Sequence, residues 1–442
     1  MMTRFTLLLS LPVVFLLSVT GPVKAVEVKR VDSGLGFSAL LVEDHNNPII
    51  AIRIAFHGGS ALDPAGQEGL ANMVSGLIDE GAGDLDSQAF QARLEDYSIK
   101  LSFSAGSDSF HGRLTTLSEN REEAFSLFKL ALTQPRFDEE PVERIRAQIL
   151  SGIRQKSEDP DSIAYEELYK VMFGDHPYGR PSDGSLETAQ AITADDMNAF
   201  VTERLARDNL HIGVTGDITP GELKTVLQDV FGSLPAHASP WNIPLAEIPA
   251  TGHDLVISKP IPQSAIVFAQ RGLLRDDPDF YPAYVMNYIL GGGGFVSRLY
   301  REVREERGLA YSVYSYLTPM DNAALYVGGA GTANASVAQT LEVVREQWAL
   351  MAEKGVTQDE LNNAKTYLTG SYPLRFSSSS GIANMLLGIE LDELGEDFFD
   401  RRNELVEAVT LDDVNAVARS LLDPKSLMFI VVGEPQGLEG GL

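Results

Sequence analysis

The sequence predicts an α+β fold made of two homologous lobes, each with an antiparallel-rich sheet packed against helices. Three observations predict it: a helix–strand unit that occurs twice, strand and helix patterns that open both halves in the same order, and a proline-rich segment between the halves. The chain has 442 residues, of which 44% are hydrophobic and 22% are charged. This composition is typical of a soluble globular protein long enough for two or three domains.

The repeated unit lies near the end of each half. Ile192–Ala199 reads Ile-Thr-Ala-Asp-Asp-Met-Asn-Ala, and Val409–Ala416 reads Val-Thr-Leu-Asp-Asp-Val-Asn-Ala. Each copy is followed by a helical stretch and an apolar strand, Leu210–Asp217 in the first half and Leu427–Glu434 in the second. The offset from Thr193 to Thr410 equals that from Gly216 to Gly433, so the two copies align without a gap. The threonine of each copy is predicted to cap a helix whose first turn carries the two aspartates. The shared spacing indicates duplication of one unit.

The two halves also begin alike. Pro48–Phe56 alternates as a half-buried strand, and the helix-like segment 69–78 follows it. In the second half, Ser264–Ala269 is the predicted strand and Tyr281–Leu290 is the predicted helix. Each lobe therefore mixes strands with long helices.

A linker is predicted between the lobes, because residues 234–249 contain four prolines and cannot support a regular helix or a central strand. The predicted organisation is a leader at 1–25, an N-terminal lobe at 26–233, the linker at 234–249 and a C-terminal lobe at 250–442.

The first residues have the layout of a secretory signal peptide. Arg4 gives a positive start, Phe5–Leu17 is mostly apolar, and Val23-Lys24-Ala25 offers a cleavage site. Export to a periplasmic or secreted location is therefore expected, with the mature chain beginning near Val26; the alternative is an uncleaved membrane anchor. The chain has no cysteine, which excludes disulfides, thiolate ligands and a cysteine-linked lipid anchor.

The formal net charge of −27 bears on the choice of partners. An acidic surface repels nucleic acid and anionic membranes, so neither is an expected partner of the mature chain. The same surface favours basic peptides or a basic protein. The alternative is that the charge serves solubility alone.

Several motifs resemble one family in the same order along nearly the whole mature chain. They are Gly59–Pro64 (Gly-Ser-Ala-Leu-Asp-Pro), Gly69–Ala71, His176–Pro181 (His-Pro-Tyr-Gly-Arg-Pro), Gly291–Phe295 and Arg304–Val313. The chain thus resembles the insulinase/pitrilysin-type zinc peptidases, in particular the processing-peptidase-like branch with two-lobed subunits. The resemblance implies a fold of two peptidase-like lobes.

The family's metal site is an inverted H-x-x-E-H motif, in which two histidines on one helix face bind zinc beside a glutamate base. At the matching positions this chain has Asn72, Ser75 and Gly76, and Gly152 stands where the distant third ligand aligns. None of the four is a good zinc ligand. We therefore expect this chain to bind no cofactor and to hydrolyse no peptide alone.

The other part of the family's machinery is present. Active members need an arginine and a tyrosine seven residues apart from a C-terminal lobe, and Arg304 and Tyr311 match that spacing. The resemblance implies that both donate hydrogen bonds to a substrate carbonyl and its developing oxyanion. The alternatives are that Arg304 only complements a helix C-terminus and that Tyr311 only packs on a strand.

The local pattern places this pair beside each other. Residues 296–307 are predicted as a helix, and residues 310–317 as a strand in which Tyr311 shares a face with Val313 and Ser315.

The resulting hypothesis is a non-metal subunit of a heterodimeric zinc metalloendopeptidase. A homologous partner bearing H-x-x-E-H would hold zinc, and this chain would contribute Arg304 and Tyr311 to the partner's site. The substrates would be peptides, with a preference for basic ones. The alternative is a catalytically inert peptide-binding or assembly protein; a stand-alone hydrolase has no support among the residues.

Overall fold

A computed structural model describes residues 27–250 and 252–438. The predicted leader lies outside these residues. Within them, no helix is both long enough and apolar enough to cross a membrane.

Two sheets form the centre of the molecule. The first has the strand order β1-β2-β6-β3-β5-β4 and the second has the order β7-β11-β8-β10-β9. The strands are β1 Lys29–Asp32, β2 Ser38–Glu43, β3 Ile49–His57, β4 Lys100–Ala105, β5 Ser109–Leu117, β6 Leu210–Gly216, β7 Leu255–Ser258, β8 Gln263–Arg271, β9 Ala310–Met320, β10 Ala323–Ala333 and β11 Met428–Gly433. All pairings are antiparallel except those of β2 with β6 and of β7 with β11.

Helices cover both sheets. The α-helices are α1 Leu70–Ser75, α2 Ser87–Asp96, α3 Arg121–Thr133, α4 Glu139–Lys156, α5 Pro160–Phe173, α6 Leu186–Ala191, α7 Ala194–Arg204, α8 Pro220–Phe231, α9 Phe280–Asn287, α10 Val337–Lys354, α11 Gln358–Gly370, α12 Ser379–Leu391, α13 Phe398–Ala408 and α14 Leu411–Leu421. Two π-helical segments, Tyr288–Gly292 and Tyr300–Glu305, follow α9. The α+β fold class with two sheets packed against helices is confirmed.

The repeated unit gives the same structure twice. Thr193 and Thr410 each accept a hydrogen bond from the backbone N–H three residues on, and the aspartate there accepts one from the threonine N–H. This reciprocal capping satisfies two backbone donors that a helix start leaves unpaired. The helices α7 and α14 therefore begin where the sequence predicts, and each leads into a buried central strand.

Each lobe has its own core between one face of its sheet and its helices. In the first lobe, Ile52, Ile54 and Phe56 of β3 pack among buried residues of α1, α3 and α8. In the second lobe, Phe268 packs against Trp348 of α10. Burying each of these large side chains contributes about 2 kcal/mol.

The opposite face of each sheet is covered by a helix from the other lobe. α5 of the first half packs on β8 and β11, where Leu168 and Met172 join a cluster with Val267. α12 of the second half packs on β2, β6 and β3, where Leu386 lies against Leu40. The two lobes therefore share two of their hydrophobic clusters.

A polar contact also joins the lobes at the end of β3. His57 Nδ1 lies 3.1 Å from Asp321 Oδ2 in the turn between β9 and β10. The hydrogen bond to Asp321 raises the pKa of His57, and burial acts against that rise. Beside it, burial lowers the pKa of His211 to about 4. His57 therefore ends a strand and contacts the second lobe.

Candidate functional site

The helix α1 carries Asn72 and Ser75 and ends just before Gly76, three of the positions that the family resemblance aligns with the metal site. Ser75 Oγ donates a 2.8 Å hydrogen bond to the carbonyl oxygen of Asn72. Gly76 is the C-cap of α1 rather than an interior residue, which corrects the sequence-based view of a glycine inside the helix. A Cβ atom on Gly76 would lie 3.2 Å from Ile145 Cγ2 of α4. Packing of α4 against α1 thus gives a structural reason for glycine here.

Gly152, which aligns with the family's third zinc ligand, lies further along α4. Gly152 is in the helix interior, and a Cβ atom there would meet nothing within 4 Å. Among residues 27–250 and 252–438, no group of three or more His, Cys, Asp or Glu side chains could hold a metal ion. The amide, hydroxyl and two glycines at the aligned positions do not fit zinc, since zinc requires imidazole, thiolate or carboxylate ligands.

These two glycines should respond differently when the family's ligands are restored. Gly76→His is expected to lower the free energy of unfolding by about 1–3 kcal/mol, because the new side chain crowds Ile145. Gly152→Glu is expected to raise it by up to about 1 kcal/mol, because a glycine inside a helix is replaced where space is open. Urea titration of both variants tests this. A Gly76→His variant as stable as Gly152→Glu would contradict the packing explanation.

Arg304 and Tyr311 lie side by side in the second lobe. The guanidinium carbon of Arg304 is 4.6 Å from the centroid of the Tyr311 ring and 4.9 Å from that of Tyr300. Arg304 also donates a hydrogen bond to the hydroxyl of Tyr300. Cation–π stacking of this kind stabilises the arginine by roughly 0.5–1 kcal/mol at an exposed site. Arg304 and Tyr311 are therefore close together, as predicted, and Tyr300 is a third residue that contacts the arginine.

Two local irregularities position the pair. The helical segment that carries Arg304 is π-helical from Tyr300 to Glu305, and such segments are frequent at functional sites. On the strand side, Gly331 of β10 pairs with Ser312 and the next residue, Thr332, pairs with Ala310. Tyr311 is therefore left without a partner in a β-bulge, a feature that changes the direction of a side chain.

The bulge corrects the predicted strand face. Val313 and Ser315 are buried, as residues of one face should be, but Tyr311 is 81% exposed. Regular alternation would have placed its ring in the core with theirs. The alternative of a packed strand aromatic is therefore wrong for Tyr311.

The helix before the strand also differs from the prediction. Residues 296–307 do not form one regular helix: a 3₁₀ turn ends at Val296 and the π-helical segment ends at Glu305. Arg307 donates to the carbonyl oxygen of Glu302 and pairs with its carboxylate, so Arg307 complements the end of the segment. Arg304 contacts aromatic rings instead.

Sequence reasoning missed the residues that surround the pair. Tyr300, one helical turn before Arg304, packs edge-on against Phe295 with ring centroids 4.9 Å apart. Phe295 and Val296 are each 72% exposed. Before them in the chain, Gly291 packs closely, since a Cβ atom on it would lie 2.3 Å from Ser315 Oγ. The i, i+4 spacing of Tyr300 and Arg304 was the available signal for the first of these contacts.

This arrangement can bind a carbonyl group. The phenol of Tyr311 is one O–H donor, and the guanidinium of Arg304 carries five N–H donors in a fixed plane. Arg304 forms no ion pair with any described carboxylate. Fixed donors directed at a carbonyl oxygen stabilise the negative charge that develops on it during hydrolysis.

A two-lobed fold of this kind, with donors in the second lobe and no metal-ligand set among the described residues of the first, is that of a zinc-peptidase relative without its metal site. Comparisons with known families agree. The profile described as "Insulinase (Peptidase family M16)" matches residues 38–184, and that described as "Peptidase M16 inactive domain" matches residues 191–368. The chain belongs to the insulinase family, peptidase family M16, and is an inactive type of member.

Individual relatives are consistent with this assignment. The "non-peptidase homolog YmxG" of Helicobacter pylori is 28% identical over 396 residues, which are 88% of this chain and 90% of the relative. The "uncharacterized zinc protease YmxG" of Bacillus subtilis is 30% identical over 293 residues, which are 64% of this chain and 69% of the relative. The crystal structure of a "peptidase M16 inactive domain" from Pseudomonas fluorescens is 29% identical, with a TM-score of 0.88 over 94% of this chain and 100% of that one.

Proposed function

We propose that this chain is the non-metal subunit of a heterodimeric zinc peptidase. In this proposal a homologous partner bearing H-x-x-E-H holds zinc and the general base, and this chain supplies Arg304 and Tyr311 to the same catalytic centre. The observation that carries the proposal is the outward direction of this pair: Tyr311 is 81% exposed beside Arg304, which lacks a carboxylate partner among the described residues.

The exposure of Tyr311 has a physical cost that a purely structural role does not explain. A tyrosine ring exposed to water gives up roughly 2 kcal/mol of burial energy that a regular strand position would provide. The bulge and the π-helical segment both depart from regular hydrogen bonding to create this arrangement. A binding role for the pair accounts for both departures.

Within the proposed centre, the residues of this chain bind and orient the peptide. The hydroxyl of Tyr311 and the guanidinium of Arg304 donate to the carbonyl oxygen of the scissile bond and gain strength as it becomes an oxyanion. Zinc, when bound by the partner, polarises that carbonyl and activates water. Tyr300 holds the guanidinium in place, so that it acts as a positioning residue.

The partner is proposed to contact the apolar surface beside this pair. Phe295 and Val296 are exposed there, and apolar side chains of this size gain stability when a second protein covers them. The leader-like first residues support export, so we propose that both subunits meet in a periplasmic or extracellular location.

Purification with the partner tests the assembly step. The partner tested is the H-x-x-E-H protein encoded nearest to this chain's gene. Mixed in equal amounts, the two are expected to elute as a 1:1 heterodimer holding one zinc, and this chain alone is expected to hold none. Stoichiometric zinc in the isolated chain would contradict the proposal. Two separate elution peaks at micromolar concentration would favour the inert binding or scaffold alternative.

A further inference from the structure

One face of the first sheet carries uncompensated positive charge, although the whole chain has a net charge of −27. Arg53 of β3 pairs directly with Arg113 of β5, so the two arginines lie opposite each other on the same face. Like charges placed opposite on neighbouring strands destabilise a sheet. Lys100 of β4 adds a third cation on this face, since it pairs with Thr115 two residues from Arg113.

None of the three cations has a carboxylate partner among the described residues. No ion pair within residues 27–250 and 252–438 includes Arg53, Arg113 or Lys100. Burial, and then the charge of Arg113, lower the pKa of Arg53 to about 10. No carboxylate counteracts that shift, so the positive field on this face is unbalanced.

The buried arginine is held in a fixed orientation. Its Nε donates to the side-chain oxygen of Asn384 on α12 at 3.0 Å, and its Nη1 donates to the carbonyl oxygens of Ile52 and Leu114 at 2.9 and 3.0 Å. Arg53 as a whole is only 6% exposed. Its Nη2 atom donates to no described acceptor and remains accessible to solvent. Both lobes therefore build a rigid site with one donor nitrogen left free. A charge held this way is costly unless an anion binds to it.

The surrounding surface is open and polar. α12 packs on β2, β6 and β3, and Arg113, Lys100 and Ser102 on the neighbouring strands β5 and β4 are exposed. At the far end of the same face, His111 pairs with Ser104, and burial lowers the pKa of this histidine. The cations Lys100 and Arg113 therefore lie among the hydroxyls of Ser102, Ser104 and Thr115 on two neighbouring strands. This pattern suits a ligand with several carboxylates spaced along an extended chain.

We propose that this basic face, defined by Arg53, Arg113 and Lys100, binds an extended acidic segment of a polypeptide. The inference rests on the proposed function for the expectation that the ligand is a peptide, and it replaces the preference for basic peptides that the net charge suggested. A long nucleic acid fits less well, because three cations surrounded by an acidic protein cannot offset the repulsion of a continuous polyanion.

Fluorescence anisotropy with the isolated chain tests this inference without the partner or zinc. The probe is a labelled ten-residue peptide of alternating Glu and Ser, and the matched probe has Gln in place of Glu. The chain is expected to bind the Glu probe at low salt at least tenfold more tightly than the Gln probe. Raising the salt concentration is expected to weaken the Glu complex.

Variants of the exposed cations identify the face. Arg113→Glu is expected to weaken binding of the Glu probe by about tenfold or more, and Lys100→Gln by a few fold. Lys224→Gln, at an exposed position on α8 in the helical layer, removes one charge elsewhere and is expected to have no effect. Thermal unfolding checks that each variant is folded.

Three results would overturn the inference: equal binding of the Glu and Gln probes, Arg113→Glu with wild-type affinity, or tighter binding of a ten-nucleotide single strand than of the Glu probe. None of these results depends on Arg304, Tyr311 or the partner. The binding of acidic peptides to the basic face can therefore be refuted while the proposed function stands. The proposed function can likewise be refuted while that binding stands.

Discussion

In the complex with its metal-bearing partner, Tyr311→Phe is expected to lower kcat by about 10²–10³-fold with little change in KM. The substitution removes one hydroxyl and keeps the ring that stacks on Arg304. A hydrogen bond that strengthens as the carbonyl becomes an oxyanion affects the transition state more than the bound substrate, and single donors of this kind have effects of that size. Steady-state kinetics on a quenched fluorescent peptide measure both constants.

Arg304→Ala is expected to lower kcat by at least as much, because the substitution removes both the positive charge and the group that stacks on the Tyr311 ring. Arg301→Ala is the matched control: it lies three residues earlier, is exposed, and pairs with its neighbour Glu302. The control should keep near wild-type kcat. If Tyr311→Phe and Arg304→Ala both kept full activity in an intact heterodimer, the role assigned to the pair would be wrong.

The second large effect concerns the junction of the lobes. Gly213 of β6 lies under α12 so closely that a Cβ atom there would be 2.6 Å from both the carbonyl oxygen of Ala383 and the backbone nitrogen of Leu387. Gly213→Val is expected to lower the free energy of unfolding by about 3 kcal/mol, because the helix must move away from the first sheet. Urea titration followed by circular dichroism measures the change.

A glycine on the same helix provides the control. A Cβ atom on Gly388 would meet nothing within 4 Å, and the residue lies within α12. Gly388→Ala is expected to raise the free energy of unfolding by up to about 1 kcal/mol through helix propensity. If Gly213→Val were as stable as the wild type, the close packing of α12 on β6 would be refuted.

Local sequence signals were sufficient for much of the fold. The threonine and aspartate of each repeated unit form the reciprocal caps that their spacing indicates, and apolar alternation located β3. Both features depend on residues close in the chain. The exchange of α5 and α12 between the lobes could not be predicted this way, because an apolar helix face does not specify which sheet it covers.

The site could be predicted only in part, because some of its features depend on residues close in the chain and others on the pairing of distant strands. The seven-residue spacing placed Arg304 near Tyr311, but period-two alternation put the tyrosine on one face with Val313 and Ser315, which are buried. The bulge that exposes it depends on the pairing with Gly331 and Thr332 of another strand. Likewise, Arg53 and Arg113 are opposite only because β3 pairs with β5 in one register. Register is set by the whole sheet and cannot be read from either strand alone.

A titration of this chain into a fixed amount of the zinc-loaded partner, followed by peptide hydrolysis, tests whether the two subunits share one catalytic centre. We expect the partner alone to be nearly inactive and the activity to rise until one equivalent of wild-type chain is present. We expect the Tyr311→Phe chain to bind the partner with the same stoichiometry but to restore at most about one hundredth of that activity. Full hydrolysis by the partner alone, or equal activation by the Tyr311→Phe chain, would show that this chain does not supply Tyr311 to a shared centre.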